Sequence, residues 1–267
     1  MAIGTKFTGY TALSSTTPQL LGGAIQELPD GARQLVGVIP FLTSPAGNTA
    51  NEPVAAEMYL TSDDIKSLVP YHVLAQPIGS SLLKSSAQPQ GSMKEVIYPV
   101  YAPLKGGEGI SVYGAGLYNH TIEPYMGCLL IYSDQFPTKG QCFAKIGVFT
   151  NTSTAAARVA GTAISVVGGK MLKEVFGFAV GTTVAALKGL AGHIDFNSEG
   201  FIPAWDVHLP INPASGQVDT NIVECIAGVA RLKVERQMKD KTTINVGFTL
   251  AVALTTTGNF IYGVLYN

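Results

Sequence analysis

The run from Thr152 to His193 constrains this chain more than any other stretch. It reads TSTAAARVAGTAISVVGGKMLKEVFGFAVGTTVAALKGLAGH and holds no proline, whereas Pro and Gly punctuate most of the remainder. Val159, Ile164, Val167, Met171, Val175, Phe178, Leu187 and Leu190 fall at helical spacing. A small residue recurs at every fourth place through Ala157, Gly161, Ser165 and Gly169, and again through Gly177, Gly181, Ala185 and Gly189. Such a row lets another backbone come close. The spacing predicts two helices, Thr154 to Val167 and Lys170 to Leu190. They would divide at Gly168-Gly169, because glycine costs about 1 kcal/mol per residue inside a helix. The uncharged part of the second, Val175 to Leu187, is shorter than the roughly 20 residues of a bilayer span. A helix packed on β-sheets is therefore the expectation, with membrane contact as the alternative.

On either side of this run the pattern is extended. Gln34 to Leu42 (QLVGVIPFL) is apolar and broken by Pro40, which predicts an edge strand or a bend. Pro53 to Leu60, Glu95 to Tyr101, Ile110 to His120, Pro124 to Ser133 and Gln141 to Thr150 read as strands. Gly/Pro-rich turns at Lys105 to Gly109 and Pro137 to Gly140 separate them. Between them, Ser62 caps a short helix through Val69, with Asp63 and Asp64 at its positive end. Gly79 to Ser92 reads as a loop. Beyond residue 193, strands are expected over Phe201 to Leu209, Asn221 to Arg236, Thr242 to Leu254 and Asn259 to Tyr266. In the third of these, Ile244, Val246, Phe248, Leu250, Val252 and Leu254 alternate with smaller or polar residues, as in a half-buried strand. The last, FIYGVLY, is apolar on both faces and should be central.

Two portions echo each other at an offset of about one hundred residues, one starting near Tyr98 to Tyr101 and the other near Ile202 to Trp205. The organisation that follows is an N-terminal arm or strand over 1-30, a first β-unit over 31-152, a helical connector over 153-193 and a second β-unit over 194-267.

Composition narrows the function. Net charge is −1, which gives no electrostatic footprint for nucleic acid or anionic lipid. Charged residues make up 13% of the chain, against about 25% in ordinary soluble domains. A surface so poor in charge suits a subunit embedded among neighbours or lying against a membrane better than a free monomer. Cys128, Cys142 and Cys225 lack metal spacing and sit in apolar runs, where reduced core thiols are expected. The N-terminal MAIGTKFTGYTALSS lacks the apolar core of a signal peptide, so synthesis in the cytosol is expected. The sequons at Asn119 and Asn151 then read as chance matches.

No motif carries chemistry. There is no G-x-S-x-G elbow, and Gly114-Ala115-Gly116 lies within a strand rather than before a helix. His72, His120, His193 and His208 are scattered. The pairs His193/Asp195 and His208/Asp206 fit surface positions. Arg231, Lys233 and Glu235 alternate with Leu232 and Val234 as the wet face of a strand. No catalytic, cofactor-binding or metal-ligating residue is assigned, no cofactor is expected, and the chain reads as a non-enzyme.

Many short strands with turns, two echoing β-units, a helical connector, a neutral surface and no active site resemble the double jelly-roll major capsid proteins of tailless icosahedral viruses. The resemblance spans about residues 30 to 267. It implies a mainly β fold with two jelly-roll barrels side by side, and a homotrimer that assembles further into a virion shell. The second unit supplies only about five strands, so a second barrel would borrow others, for instance from residues 1 to 30. A single jelly roll with a helical insertion also fits. The first thirty residues hold only Lys6 as a basic group, so no direct contact with nucleic acid is expected and an internal membrane would lie between shell and genome. Two other readings remain: a pore-forming protein that inserts its helices into lipid, and a ligand-binding β-sandwich. The second expects exposed aromatics, and a single tryptophan, Trp205, with tyrosines that read as core stands against it.

Overall fold

The computed structural model describes residues 2-13, 15-43, 56-68, 71-77, 97-117, 123-151, 157-167, 171-181, 192-211, 229-251 and 258-267. These divide into two compact units, the first running to Phe143 and the second from Ala144.

In the first unit the strands are β1 (Ile3–Phe7), β2 (Thr11–Ala12), β3 (Gln19–Leu20), β4 (Gln26–Glu27), β5 (Gln34–Thr43), β6 (Ala56–Thr61), β7 (Tyr71–Leu74), β8 (Gln76–Pro77), β9 (Tyr98–Pro103), β10 (Gly109–Gly116) and β11 (Tyr125–Ser133). One sheet runs β1-β11-β5, with β9 and β8 both on the far side of β5 and β2 also on β11. The facing sheet runs β3-β10-β6-β7, with β4 on β10.

The second unit holds β12 (Phe143–Asn151), β13 (Val159–Ala160), β14 (Ile164–Val166), β15 (Met171–Gly181), β16 (Gly192–Asn197), β17 (Phe201–Ile202), β18 (Val207–Ile211), β19 (Ala230–Met238), β20 (Thr242–Leu250) and β21 (Gly258–Tyr266). Its sheets run β12-β21-β15-β19-β17 and β13-β20-β16-β18, with β14 on β20. The main pairing order of the first unit thus recurs: β12-β21-β15-β19 repeats β1-β11-β5-β9, and β13-β20-β16-β18 with β14 repeats β3-β10-β6-β7 with β4. Among the described residues of the second unit, β2 and β8 have no counterpart. Each unit is a jelly roll: two facing sheets, antiparallel except where the two-residue β8 runs parallel to β5, linked by Greek-key connections.

Local detail repeats as well. Pairing of β5 with β9 slips between Leu35 and Gly37, and pairing of β15 with β19 slips between Leu172 and Glu174. At each bulge a non-glycine residue takes a positive φ, Tyr101 at 52° and Glu235 at 44°. Each unit also has a serine turn after its β6 or β16 strand. Ser62 Oγ accepts from the N–H groups of Asp64 (3.2 Å) and Ile65 (3.1 Å) and donates to Gly109 O (2.7 Å). Ser198 Oγ accepts from Gly200 N–H (3.0 Å) and donates to Thr243 O (2.6 Å). Equivalent strands begin at Gln34 and Met171, Gly109 and Thr242, Tyr125 and Gly258. The repeat is therefore about 135 residues, not the hundred expected from the sequence.

Several expectations need correcting. The helical segment over 153-193 is not helical where it is described: it forms β13, β14, β15 and the start of β16. β15 is a central strand, paired with β21 on one side and β19 on the other. The stretch read as a connector therefore holds strands of the second barrel, which borrows nothing from residues 1 to 30. Those residues supply β1 to β4 of the first unit; β1 pairs with β11, and β3 and β4 pair with β10. Residues 182-191 lie outside the described residues.

β5 is interior rather than an edge, although it carries Pro40. On one side it pairs with β11 throughout. On the other it pairs with β9 over Gln34 to Val38 and with β8 at Phe41 and Leu42. Pro40 falls between those two partners, where its missing N–H breaks no ladder. The helix foreseen after Ser62 is a single 3-10 turn, Lys66–Leu68.

Cores form where facing sheets meet. In the second unit Phe248 and Phe260 stack at 3.8 Å, and Phe196 meets Tyr262 edge-on at 6.5 Å. Along β20, Ile244, Val246, Phe248 and Leu250 are buried, while Thr243 and Asn245 are exposed. The foreseen extension to Val252 and Leu254 lies outside the described residues. Phe260 to Tyr266 is buried residue after residue, because β21 sits between β12 and β15.

Candidate assembly surfaces

Backbone register sets what each outer sheet face presents. In the first unit, Leu20, Tyr113, Tyr59 and His72 form one row across β3, β10, β6 and β7. Tyr59 stacks on Tyr113 with centroids 5.0 Å apart and meets His72 edge-on at 5.0 Å. Glu57 lies half-buried one pair further along β6. Burial pushes its carboxyl pKa up and the His72 imidazole down, both toward the uncharged form. This face is aromatic and poor in charge.

The corresponding face of the second unit is ionic. Arg158 Nε donates to both oxygens of Asp195 at 2.9 Å, and Nη2 donates to Oδ1 at 2.7 Å. The guanidinium lies over Gly247, where any Cβ would come within 2.4 Å of Arg158 Cζ. Hydrogen bonding to Asp195 raises the Arg158 pKa, against the opposing effect of burial. His193 and His208 meet edge-on at 5.1 Å. Asp195 is thus a buried partner of Arg158, 4% exposed, and not the surface residue expected. Arg231 is likewise no wet-face residue: it forms an ion pair with Glu174, their side chains 14% and 5% exposed. Both arginines had partners far away in sequence, which no local pattern signals.

The other sheet of the first unit carries a second aromatic group. Phe7 lies 5.0 Å from Tyr10 and 6.0 Å from Phe41. Gly127 makes room for the two phenylalanine rings, since a Cβ there would lie 2.8 Å from Phe7 and 3.0 Å from Phe41. Beside them Ile39, Ile131, Val36, Ile97 and Leu129 pack together.

Trp205 does not behave as a core residue. It is 69% exposed, on the connection between β16 and β18. Cys128 and Cys142 are buried, and burial pushes the Cys128 pKa far up. His120, Cys225, the Asn119 sequon and the loop Gly79 to Ser92 lie outside the described residues, as do Thr152 and Ser153 of the other sequon. Among the described residues no group of three His, Cys, Asp or Glu could hold a metal ion, and no helix is long and apolar enough to cross a membrane.

Two jelly rolls in tandem, repeated in pairing, bulge and serine turn, make this chain a double jelly roll. No family model and no curated protein matches its sequence. Among solved structures it is similar to the Sulfolobus turreted icosahedral virus structure, with TM-score 0.46 and 10% identity over 98% of this chain and 90% of that one. It is also similar to the major capsid protein P2 of bacteriophage PM2, with TM-score 0.38 and 8% identity over 98% and 97%. A third likeness is to PNGF-II, with TM-score 0.40 and 9% identity over 96% of this chain and 61% of that one.

Proposed function

We propose that this chain is a structural protein, the major capsid protein of a tailless icosahedral virus, self-assembling as a trimer into the virion shell. The observation that supports it most is the duplication: one chain carries the same barrel twice. A trimer then presents six barrels of one topology, which approximates a hexagonal tile from threefold symmetry. The outer faces of the two barrels differ, one aromatic and one ionic, so the repeats have diverged in what they present while keeping their pairing. A neutral surface with few charges suits burial among neighbours.

An internal membrane beneath the shell belongs to the same reading. The first thirty residues hold one basic group, and Ile3–Phe7, Thr11–Ala12, Gln19–Leu20 and Gln26–Glu27 among them are strands of the first unit. The reading includes no catalytic role.

Sedimentation and negative-stain imaging of the purified chain test it. Trimers and closed or curved assemblies are expected. A chain that stays monomeric at micromolar concentration would sink the proposal. Dye release from liposomes separates the pore-forming reading, which needs inserted helices; a capsid subunit should release little.

A further inference from the structure

The two units open equivalent connections with the same serine turn and then diverge. After Ser62, the first unit folds its apolar residues inward: Ile65 and Leu68 are 6% and 1% exposed. After Ser198, the second unit buries Phe201 and then exposes Ile202, Pro203, Ala204, Trp205 and Asp206 in succession. Ile202 is 48% and Trp205 69% exposed. Among the described residues of the first unit's connection, 62-68, no apolar side chain is exposed, so the shared fold does not by itself demand this exposure. An apolar run presented to water has a cost that a contact would remove.

The run is also held in one shape. Arg236 Nη1, from β19, donates to Pro203 O at 2.9 Å and to Trp205 O at 2.8 Å. Its guanidinium lies 5.8 Å from the Phe201 ring centre and 5.9 Å from that of Trp205. Trp205 N–H donates to Pro203 O at 2.9 Å, and Lys239 N–H to Gly200 O at 2.9 Å.

We propose that the loop Ile202 to Trp205 is a contact between subunits, in which Trp205 anchors in a second copy of this chain. The inference rests on the self-assembly reading and names one of its contacts. Fixed geometry favours a shape-complementary protein surface; a fluid bilayer gains little from it. The exposed carboxylates of Glu199 and Asp206 flank the apolar run and oppose anionic lipid and nucleic-acid phosphate. A second copy offers the complementary charge, since Lys66, Lys105 and Lys139 of the first unit are exposed.

Trp205 is the only tryptophan, so its fluorescence reports this loop alone. The full chain is followed across its assembly concentration by light scattering, emission wavelength and acrylamide quenching. On assembly, emission should move to shorter wavelength and quenching should fall severalfold. Trp205→Ala should melt like wild type yet need at least about tenfold more protein to assemble. Arg236→Met, which frees the loop but keeps the indole, should show a smaller rise. If Trp205 stays fully quenchable in assembled wild type, or Trp205→Ala assembles at the wild-type concentration, the contact is refuted while self-assembly stands. A wild type that never assembles refutes the assembly reading and this contact with it. A blue shift produced by phosphatidylcholine vesicles or oligosaccharides, with none on assembly, overturns the proposal in favour of lipid or sugar.

Discussion

Gly177 lies mid-strand in β15, paired with Tyr262 of β21 and Ala230 of β19. A Cβ at this position would sit 2.6 Å from Ile194 Cδ1 on the facing sheet, 3.3 Å from Leu209 Cδ2 and 3.4 Å from Ile261 O. The first distance is roughly 1 Å shorter than an ordinary carbon contact. Overpacking of this kind typically costs about 1–3 kcal/mol, while replacing glycine in a strand returns about 0.5–1 kcal/mol of chain entropy. Gly177→Ala should therefore destabilise the protein by about 1 kcal/mol net. Ile194→Val removes the clashing Cδ1 and by itself should cost about 0.5–1.5 kcal/mol. With that methyl gone, the nearest contact for the added Cβ relaxes to Leu209. The double variant should then lose less than the sum of the single losses, with a coupling of about 0.5 kcal/mol or more. Urea denaturation followed by circular dichroism measures all four proteins. A helical segment predicts the opposite sign, since alanine would gain about 1 kcal/mol and Ile194 would be no neighbour. A stabilised Gly177→Ala, or strict additivity with Ile194→Val, would refute this packing.

Other outcomes follow from the outer faces and turns. Arg158→Ala strands the buried Asp195 carboxylate and should cost about 2–3 kcal/mol, more than Asp195→Asn, because the half-exposed guanidinium can return to water; equal losses in denaturant melts would contradict this. Glu57 has a raised pKa when folded, so the native state holds its proton more tightly and loses stability as pH climbs through the folded pKa. Glu57→Gln should raise the melting temperature at pH 7 and have no effect below its unfolded value near 4.5, a pattern that thermal scans at several pH values would show or deny. Ser62→Ala and Ser198→Ala break the same turn in each unit, and each should cost about 1 kcal/mol; a loss confined to one of them would dissolve the equivalence of the two connections.

What could be read in the sequence was set by short-range pattern. Alternation along Ile244 to Leu250 and the doubly apolar Phe260 to Tyr266 depend only on period and burial, so the strand type, the mainly β class and the existence of two β-units were legible. The stretch from Val159 to Gly181 was not. Its apolar residues satisfy a helical period, yet its Val, Ile and Phe content suits a sheet, and local propensity could not choose between them. The choice came from partners far away: β15 completes its hydrogen bonds on β21 and β19, and Gly161 and Gly177 are small because Tyr262 and Ile194 approach them. Closeness was read correctly from those glycines, but attributed to the wrong element. The true repeat length, the partners of Arg158 and Arg231, and the outward turn of Trp205 belong to the same class. Each depends on which strands pair across the barrel, and that is decided by a cooperative burial no single window of sequence contains.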